Sequence, residues 1–327
     1  MKTIMMLLTI GLLVCAAGCG QKEEAAEQQA APEPTVTVEH APEPAVQDEE
    51  TSPVLTELKN ATYFGIKEQD PVTLKDGAWE GTPATEGGAS RPMVHFLWDF
   101  HRLGDLNHDG QEEAAVLLAA GSGGSGQNIY LAVLGIVEGQ LKNLDTVLIG
   151  DRVQVRKAGI LENRLFMDIV RPGPNDAMSN PGELAVMAWT LQNDKLVAMD
   201  ATSDPLRLSL DMIAGDEWVL AWWGLGEEAP AEPEVTLVYE EGRLAGTSGC
   251  NNWFTEPKAG EAPGQITVGP TGGTMKMCPE EVMAVERRFL GNLEGVNRFG
   301  YMAAMLALTY EVDGEHGVML FERRPLK

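Results

Sequence analysis

Positive charge is scarce in this chain: 24 Lys and Arg stand against 49 Asp and Glu, giving a formal net charge of -25 and a pI near 4.5. A nucleic-acid binder draws its affinity from basic side chains that neutralise phosphates, so this balance argues against that class and disfavours adhesion to an anionic lipid surface. Histidine is scarcer, with five residues and only His316 in the C-terminal half. No His-Glu-x-x-His helix, no Gly-x-Ser-x-Gly elbow and no cysteine–histidine spacing occurs, so nothing marks a zinc hydrolase, a serine hydrolase or a cysteine nucleophile. No apolar run reaches the roughly 20 residues that a membrane-spanning helix needs. Cysteine is limited to Cys15, Cys19, Cys250 and Cys278.

What is present begins with Lys2 and an apolar stretch from Ile4 to Ala17, the pattern of an export signal over residues 1–18. Ala16-Ala17-Gly18-Cys19 resembles the bacterial lipobox, with Ala16 in place of the usual leucine. That resemblance implies cleavage before Cys19, acylation of its thiol, and a membrane anchor that several acyl chains make permanent. Gly20, where an aspartate would resemble an inner-membrane retention signal, points to the outer membrane facing the periplasm. Residues 19–53 carry nine acids, one lysine and Pro-Glu-Pro twice. Such a segment has too little apolar surface to offset the entropy of ordering, so a disordered tether is expected.

Residues 54–203 read as β-rich. Ile129–Val137, Leu141–Ile149, Leu165–Val170 and Leu184–Leu191 are apolar runs bounded by turn residues, and Arg171–Gly182 is a Pro/Gly/Asn/Asp loop. The stretch with most chemistry is Asp105-Leu106-Asn107-His108-Asp109-Gly110-Gln111-Glu112-Glu113. Asp105, Asn107, Asp109, Gln111 and Glu113 place oxygen side chains at alternate positions around a glycine, an arrangement suited to wrapping a hard cation such as calcium. It departs from an EF-hand, because Val116 stands where that loop needs a glutamate, and it resembles the calcium loops of FG-GAP and related β-repeat proteins. The same residues also suit a polar β-turn that needs no metal. Gly121–Gly126 lacks the lysine and following helix of a phosphate cradle and reads as a flexible loop. This middle region also resembles a module of other bacterial lipoproteins, which brings no function with it.

In the C-terminal region, 206–327, Trp218–Leu220, Val235–Tyr239 and Gly242–Trp253 read as strands and a hairpin return. Pro279 suits the start of a helix, and Val282, Val285, Phe289, Leu290 and Leu293 trace an apolar stripe that Gly295 ends. Met305–Val312 and Gly317–Glu322, separated by Asp313-Gly314, form a hairpin signature. At Gly249-Cys250-Asn251, Thr274-Met275-Lys276-Met277-Cys278-Pro279 and Glu286 the chain resembles the META domain, or HslJ-like, family. The marks of that family are a Gly-Cys-Asn motif, a Thr-x-Met-x-Cys-Pro motif and a glutamate-bearing helix.

The fold expected is mainly β (α+β), in two globular domains: a β-rich middle domain, and a small antiparallel barrel-like META domain with one packed helix. Once Cys15 leaves and Cys19 is acylated, Cys250 and Cys278 remain, and in an oxidising compartment they form either a disulfide or two buried thiols. Trp218, Trp222, Trp223 and Trp253 belong either to the core or to a ligand groove. The function expected is non-enzymatic. The family resemblance implies an envelope protein with a binding or stress role, including heat and tolerance of hydrophobic antibiotics, acting on an unknown envelope protein or ligand. The alternative is a calcium-stabilised surface module that contacts protein or glycan. A hydrolase with an unrecognised carboxylate pair is the third reading. No cofactor is required, and a structural calcium enters only under the metal-binding reading of the Asp105–Glu113 loop.

Overall fold

The computed structural model describes residues 53–325, apart from 67–69, 84, 86–87, 89, 125 and 200–205. The expected export signal, Cys19 and the tether up to residue 52 lie outside the described residues. Helix α1 (Pro53–Leu58) leads into a two-strand ribbon of β1 (Thr62–Tyr63) and β2 (Val72–Thr73). Next comes a five-stranded antiparallel meander of β3 (Ala78–Glu80), β4 (Met93–Gly104), β5 (Glu113–Gly121), β6 (Asn128–Val137) and β7 (Gln140–Asp151).

Strands β5 and β6 are continuous apolar runs because both of their faces are covered. Val116, Leu118, Tyr130 and Ala132 pack with Leu58, Tyr63, Ile66 and Leu74 from the N-terminal segment. The alternate residues Leu117, Ala119, Leu131 and Val133 pack with Val155, Met167, Ile169 and Trp189. The last four belong to a second sheet, of order β11-β10-β9-β8, made of β8 (Gln154–Leu161), β9 (Arg164–Arg171), β10 (Glu183–Gln192) and β11 (Lys195–Met199). The middle region is thus a sheet-on-sheet structure with helix α1 and its ribbon on the outer face.

The third sheet has eight strands in the order β18-β15-β14-β13-β12-β21-β20-β19. They are β12 (Asp216–Trp222), β13 (Thr236–Glu240), β14 (Arg243–Thr247), β15 (Asn252–Thr255), β18 (Gly272–Gly273), β19 (Val296–Met302), β20 (Met305–Val312) and β21 (Glu315–Pro325). A small ribbon of β16 (Lys258–Ala259) and β17 (Ile266–Thr267) interrupts the run. The two edge strands β18 and β19 are joined by helix α2 (Glu280–Glu294), which packs on the curled sheet through Phe289 and Leu293. Phe289 meets Trp253 of β15 edge to face at 5.2 Å. The expected mainly β architecture, with a curled antiparallel sheet and one packed helix near the C-terminus, is what the structure shows.

Two details differ from the sequence reading. Strands β4 and β8 were not anticipated, because a bulge breaks the alternation of each: residues 97–100 in β4 and Arg156 in β8 fall outside the pairing register. On α2, Glu286 is buried among the apolar stripe while Val282 is only half-buried. The core of the eight-stranded sheet also takes in Val170 of β9 and Leu184 of β10. Main-chain and side-chain bonds join the same regions, Ala304 N–H to Val155 O at 2.9 Å and Tyr301 N–H to Gln154 Oε1 at 2.9 Å.

Candidate functional site

The C-terminal motif residues, scattered over 39 positions from Ser248 to Glu286, converge on one carboxylate. Strand β14 ends at Thr247 and the chain reverses through Ser248–Asn251, where Gly249 holds a φ of +98° that a side chain would strain. Helix α2 lies across this turn and delivers Glu286, 7% exposed. Glu286 Oε2 accepts from the Ser248 hydroxyl (2.7 Å) and the Asn251 N–H (2.9 Å), and Oε1 accepts from Asn251 Nδ2 (3.0 Å). Asn251 Oδ1 in turn accepts from the Thr274 hydroxyl (2.8 Å) and the Lys276 N–H (2.6 Å), and its Nδ2 also donates to Lys276 O (3.1 Å). Cys250 and Cys278 are bonded as a disulfide, their Cα atoms 6.0 Å apart.

This arrangement explains the motif physically. A buried carboxylate with three donors and a buried amide with both ends bonded form a network without an unpaired member, the condition under which burying polar groups is tolerated. Lys276 stands where the family pattern has methionine, and the network uses only its main-chain N–H and carbonyl. No histidine or free thiol enters the cluster, so the motif ties the β14–β15 turn, the segment before α2 and the helix together. Chemistry at this place would require breaking it. Met275 and Met277, which flank Lys276, point outward and are almost fully exposed.

The loop between β4 and β5 brings together four of the five oxygen-bearing residues singled out there. Asp105 accepts from the Asp109 and Gly110 N–H groups (3.2 and 3.1 Å), and Asn107 Oδ1 accepts from the Asp109 N–H (2.8 Å). Asp109 accepts from the Gln111 N–H (2.8 Å) and from Asn107 Nδ2 (3.0 Å). Glu113, buried at the start of β5, accepts from the Leu106 and Asn107 N–H groups (2.7 and 3.3 Å). Gln111 joins through its main chain. Burial pushes the Glu113 carboxyl up, the two N–H donors oppose this, and the Asp109 and Asp105 charges add to it. The donors are all oxygen, as a hard cation prefers. Among the described residues no group of three or more His, Cys, Asp or Glu is arranged to hold a metal ion, so a cation here would lean on Asn107 and main-chain carbonyls as well.

The tryptophans divide. Trp218, Trp223 and Trp253 are buried in the core of the eight-stranded sheet. Trp222 is half-buried and meets Trp98 of β4 edge to face at 5.3 Å. Trp98 reaches it because the bulge in β4 sets Trp98 and Asp99 at φ of +51° and +52°. Its importance was not visible in the sequence, where a lone Trp in an irregular polar–apolar stretch gives no signal.

Comparison with known proteins gives one family match: residues 211–324 match the META domain model. No curated protein matches. Among solved structures, an NMR structure of a protein from Burkholderia xenovorans is similar at a TM-score of 0.28 and 19% identity, covering 38% of this chain and 95% of that one.

Proposed function

We propose that this chain, which carries a META domain at its C-terminal end, is a lipid-anchored, non-enzymatic protein of the cell envelope, with a binding or stress-related role exerted through that domain. The observation that carries the reading is the closed network around Glu286: the residues that mark the family serve to hold the domain together, leaving its surfaces for recognition. The Cys250–Cys278 disulfide supports an oxidising compartment, as does the lipobox-like Ala16-Ala17-Gly18-Cys19. The anchor at Cys19 and the acidic segment that follows it would place the folded part at the outer membrane, facing the periplasm. The test is a deletion strain challenged with heat and novobiocin and complemented with wild type or Cys19→Ala. Rescue by the anchored form alone is expected, and an undiminished tolerance in the deletion strain would overturn the stress role.

A second reading, a calcium-braced surface module that contacts protein or glycan, is favoured by one observation. None of the Asp105, Asp109 and Glu113 carboxylates has an ion-pair partner among the described residues, although the three repel one another. Calcium should then raise the melting temperature of wild type and leave Asp109→Ala unmoved; identical melting curves in calcium and in chelator would remove this reading.

A further inference from the structure

Beside the Trp98–Trp222 contact lies a cleft of about 570 Å³ whose lining includes Arg102, Arg156, Lys157 and Arg323. Five separate segments build it: β4, β8, β9 through Phe166, the β19–β20 turn and β21. Successive residues of a strand normally point to opposite faces, but the bulge at Arg156 breaks the register of β8 and lets both Arg156 and Lys157 line the cleft. In a chain of net charge -25 such a gathering of cations is the exception.

The acids nearby are mostly engaged. Arg156 is paired with Asp168, and Arg323 Nε lies 3.2 Å from Asp216. Asp99, which also lines the cleft, is held by Lys59 at 2.7 Å. With Asp99 so neutralised, four cations face Asp168, Asp216 and Glu322, an excess of one positive charge. Lys157 has no hydrogen bond or ion pair among the described residues. Burial lowers its ammonium pKa, and the Arg323 and Arg156 charges lower it further, although Asp216 and Asp168 oppose this. Arg156 Nε is buried without a hydrogen-bond acceptor and Asp168 Oδ1 without a donor, so the Arg156–Asp168 pair leaves atoms of both partners unused, whereas Arg323 Nε faces the Asp216 carboxylate at 3.2 Å without a well-directed hydrogen bond. Buried donors without acceptors are uncommon and are met where a water or ion completes the set.

We propose that this cleft binds a phosphate group, with Lys157 as the ammonium contact and the guanidinium groups of Arg156 and Arg323, which also line the cleft, as the positive charge beside it. Phosphate carries enough oxygens to reach donors converging from several segments, and guanidinium groups match its geometry. The phosphate is either free, on a small molecule, or the headgroup of a lipid, and the test separates these sources. The inference does not depend on the envelope role.

The experiment is calorimetric titration of the full chain in nonionic detergent with inorganic phosphate, with dihexanoyl phosphatidic acid, and with acetate. Saturable binding of a phosphate compound is expected, weakened about tenfold or more in Lys157→Met, since a charge-assisted bond is worth about 1.5–3 kcal/mol. Lys157→Met keeps the stem and leaves no buried acid unpaired, so it should fold; a wild-type melting temperature confirms that. Lys276→Met, a change outside the cleft, should bind as wild type. Equal affinity for inorganic phosphate and the lipid assigns the free group, and binding of the lipid alone assigns the headgroup. Absence of saturable binding, binding unchanged in Lys157→Met, or acetate binding as well as phosphate would each overturn the proposal.

Discussion

Replacing Glu286 tests the claim that the family's marks are structural. Glu286→Gln keeps an oxygen for Ser248 and the Asn251 N–H, but its amide nitrogen then confronts Asn251 Nδ2, donor against donor. Asn251 cannot flip in response, because its Oδ1 is committed to Thr274 and Lys276. One charge-assisted bond is lost, at a cost of about 2 kcal/mol. Glu286→Ala removes the acceptor entirely. Ser248 keeps a second acceptor in Asn251 O, so two donors, the Asn251 N–H and Nδ2, carry the loss, and the cost rises to about 4 kcal/mol. Urea unfolding followed by tryptophan fluorescence reads the change, because Trp253 packs on Phe289 one turn along the same helix. The expected order is wild type, then Gln, then Ala. A glutamine variant as stable as wild type, or an alanine variant no worse than glutamine, refutes the reasoning. Full stability combined with lost complementation would instead make Glu286 a reacting group.

Three further outcomes follow from the same structure. Replacing Cys250 and Cys278 together by alanine frees a loop whose ends are 28 positions apart and should cost about 3.5 kcal/mol in the chain-entropy description, read as an earlier urea midpoint. Gly246→Ala would drive a methyl group into the main chain of Thr236 on the neighbouring strand, which cannot yield as a side chain can; a loss of about 3 kcal/mol is expected, and a neutral effect would show that β13 and β14 separate easily. Arg207 donates hydrogen bonds of 2.9 and 2.5 Å to Asp176 and holds its carboxyl below the ordinary carboxylate range. The unfolded chain therefore takes up the proton first as pH falls, so the stabilisation is present at neutral pH and lost below about pH 4. Because Arg207 is half exposed, Asp176→Asn should cost only about 1 kcal/mol at pH 7 and approach wild type in acid, a convergence that paired unfolding curves would show.

How much of this was legible depended on whether one stretch of chain carried the signal. Strand β6 reads directly, since burial on both faces leaves an almost unbroken apolar run, Ile129–Val137. The Asp313-Gly314 turn also read directly, and both residues hold positive φ, at 54° and 80°. Strands β4 and β8 were hidden because their bulges scramble the two-residue period over residues 97–100 and at Arg156. Glu286 was visible only as a family mark: a carboxylate inside an apolar stripe reads as a break in the stripe until its partners, Ser248 and Asn251, are placed beside it. The cationic cleft could not be read at all, because Arg102, Arg156, Lys157 and Arg323 come from three strands far apart in sequence.

The two polar clusters lead to opposite conclusions by the same accounting of donors and acceptors. Around Glu286 and Asn251, the carboxylate and the amide have their partners inside the protein, which makes the network a brace and leaves it little to offer a ligand. Beside the cleft at Trp98, Arg156 Nε and Asp168 Oδ1 lack hydrogen bonds, as Trp253 Nε1, Thr271 Oγ1 and Asn292 Nδ2 do elsewhere, and Lys157, which lines the cleft, has no partner among the described residues. Leaving a buried donor unsatisfied costs about 1–3 kcal/mol. The strained backbone at Trp98 and Asp99, and at Ala303 and Ala304 of the facing turn, falls on the walls of the same cleft. An ammonium without a partner, set among guanidinium groups and walled by left-handed residues, is what favours this surface for binding. Recognition by this chain is therefore to be sought beside the META motif, where β21 meets the sheets of the middle region, and not in the motif itself.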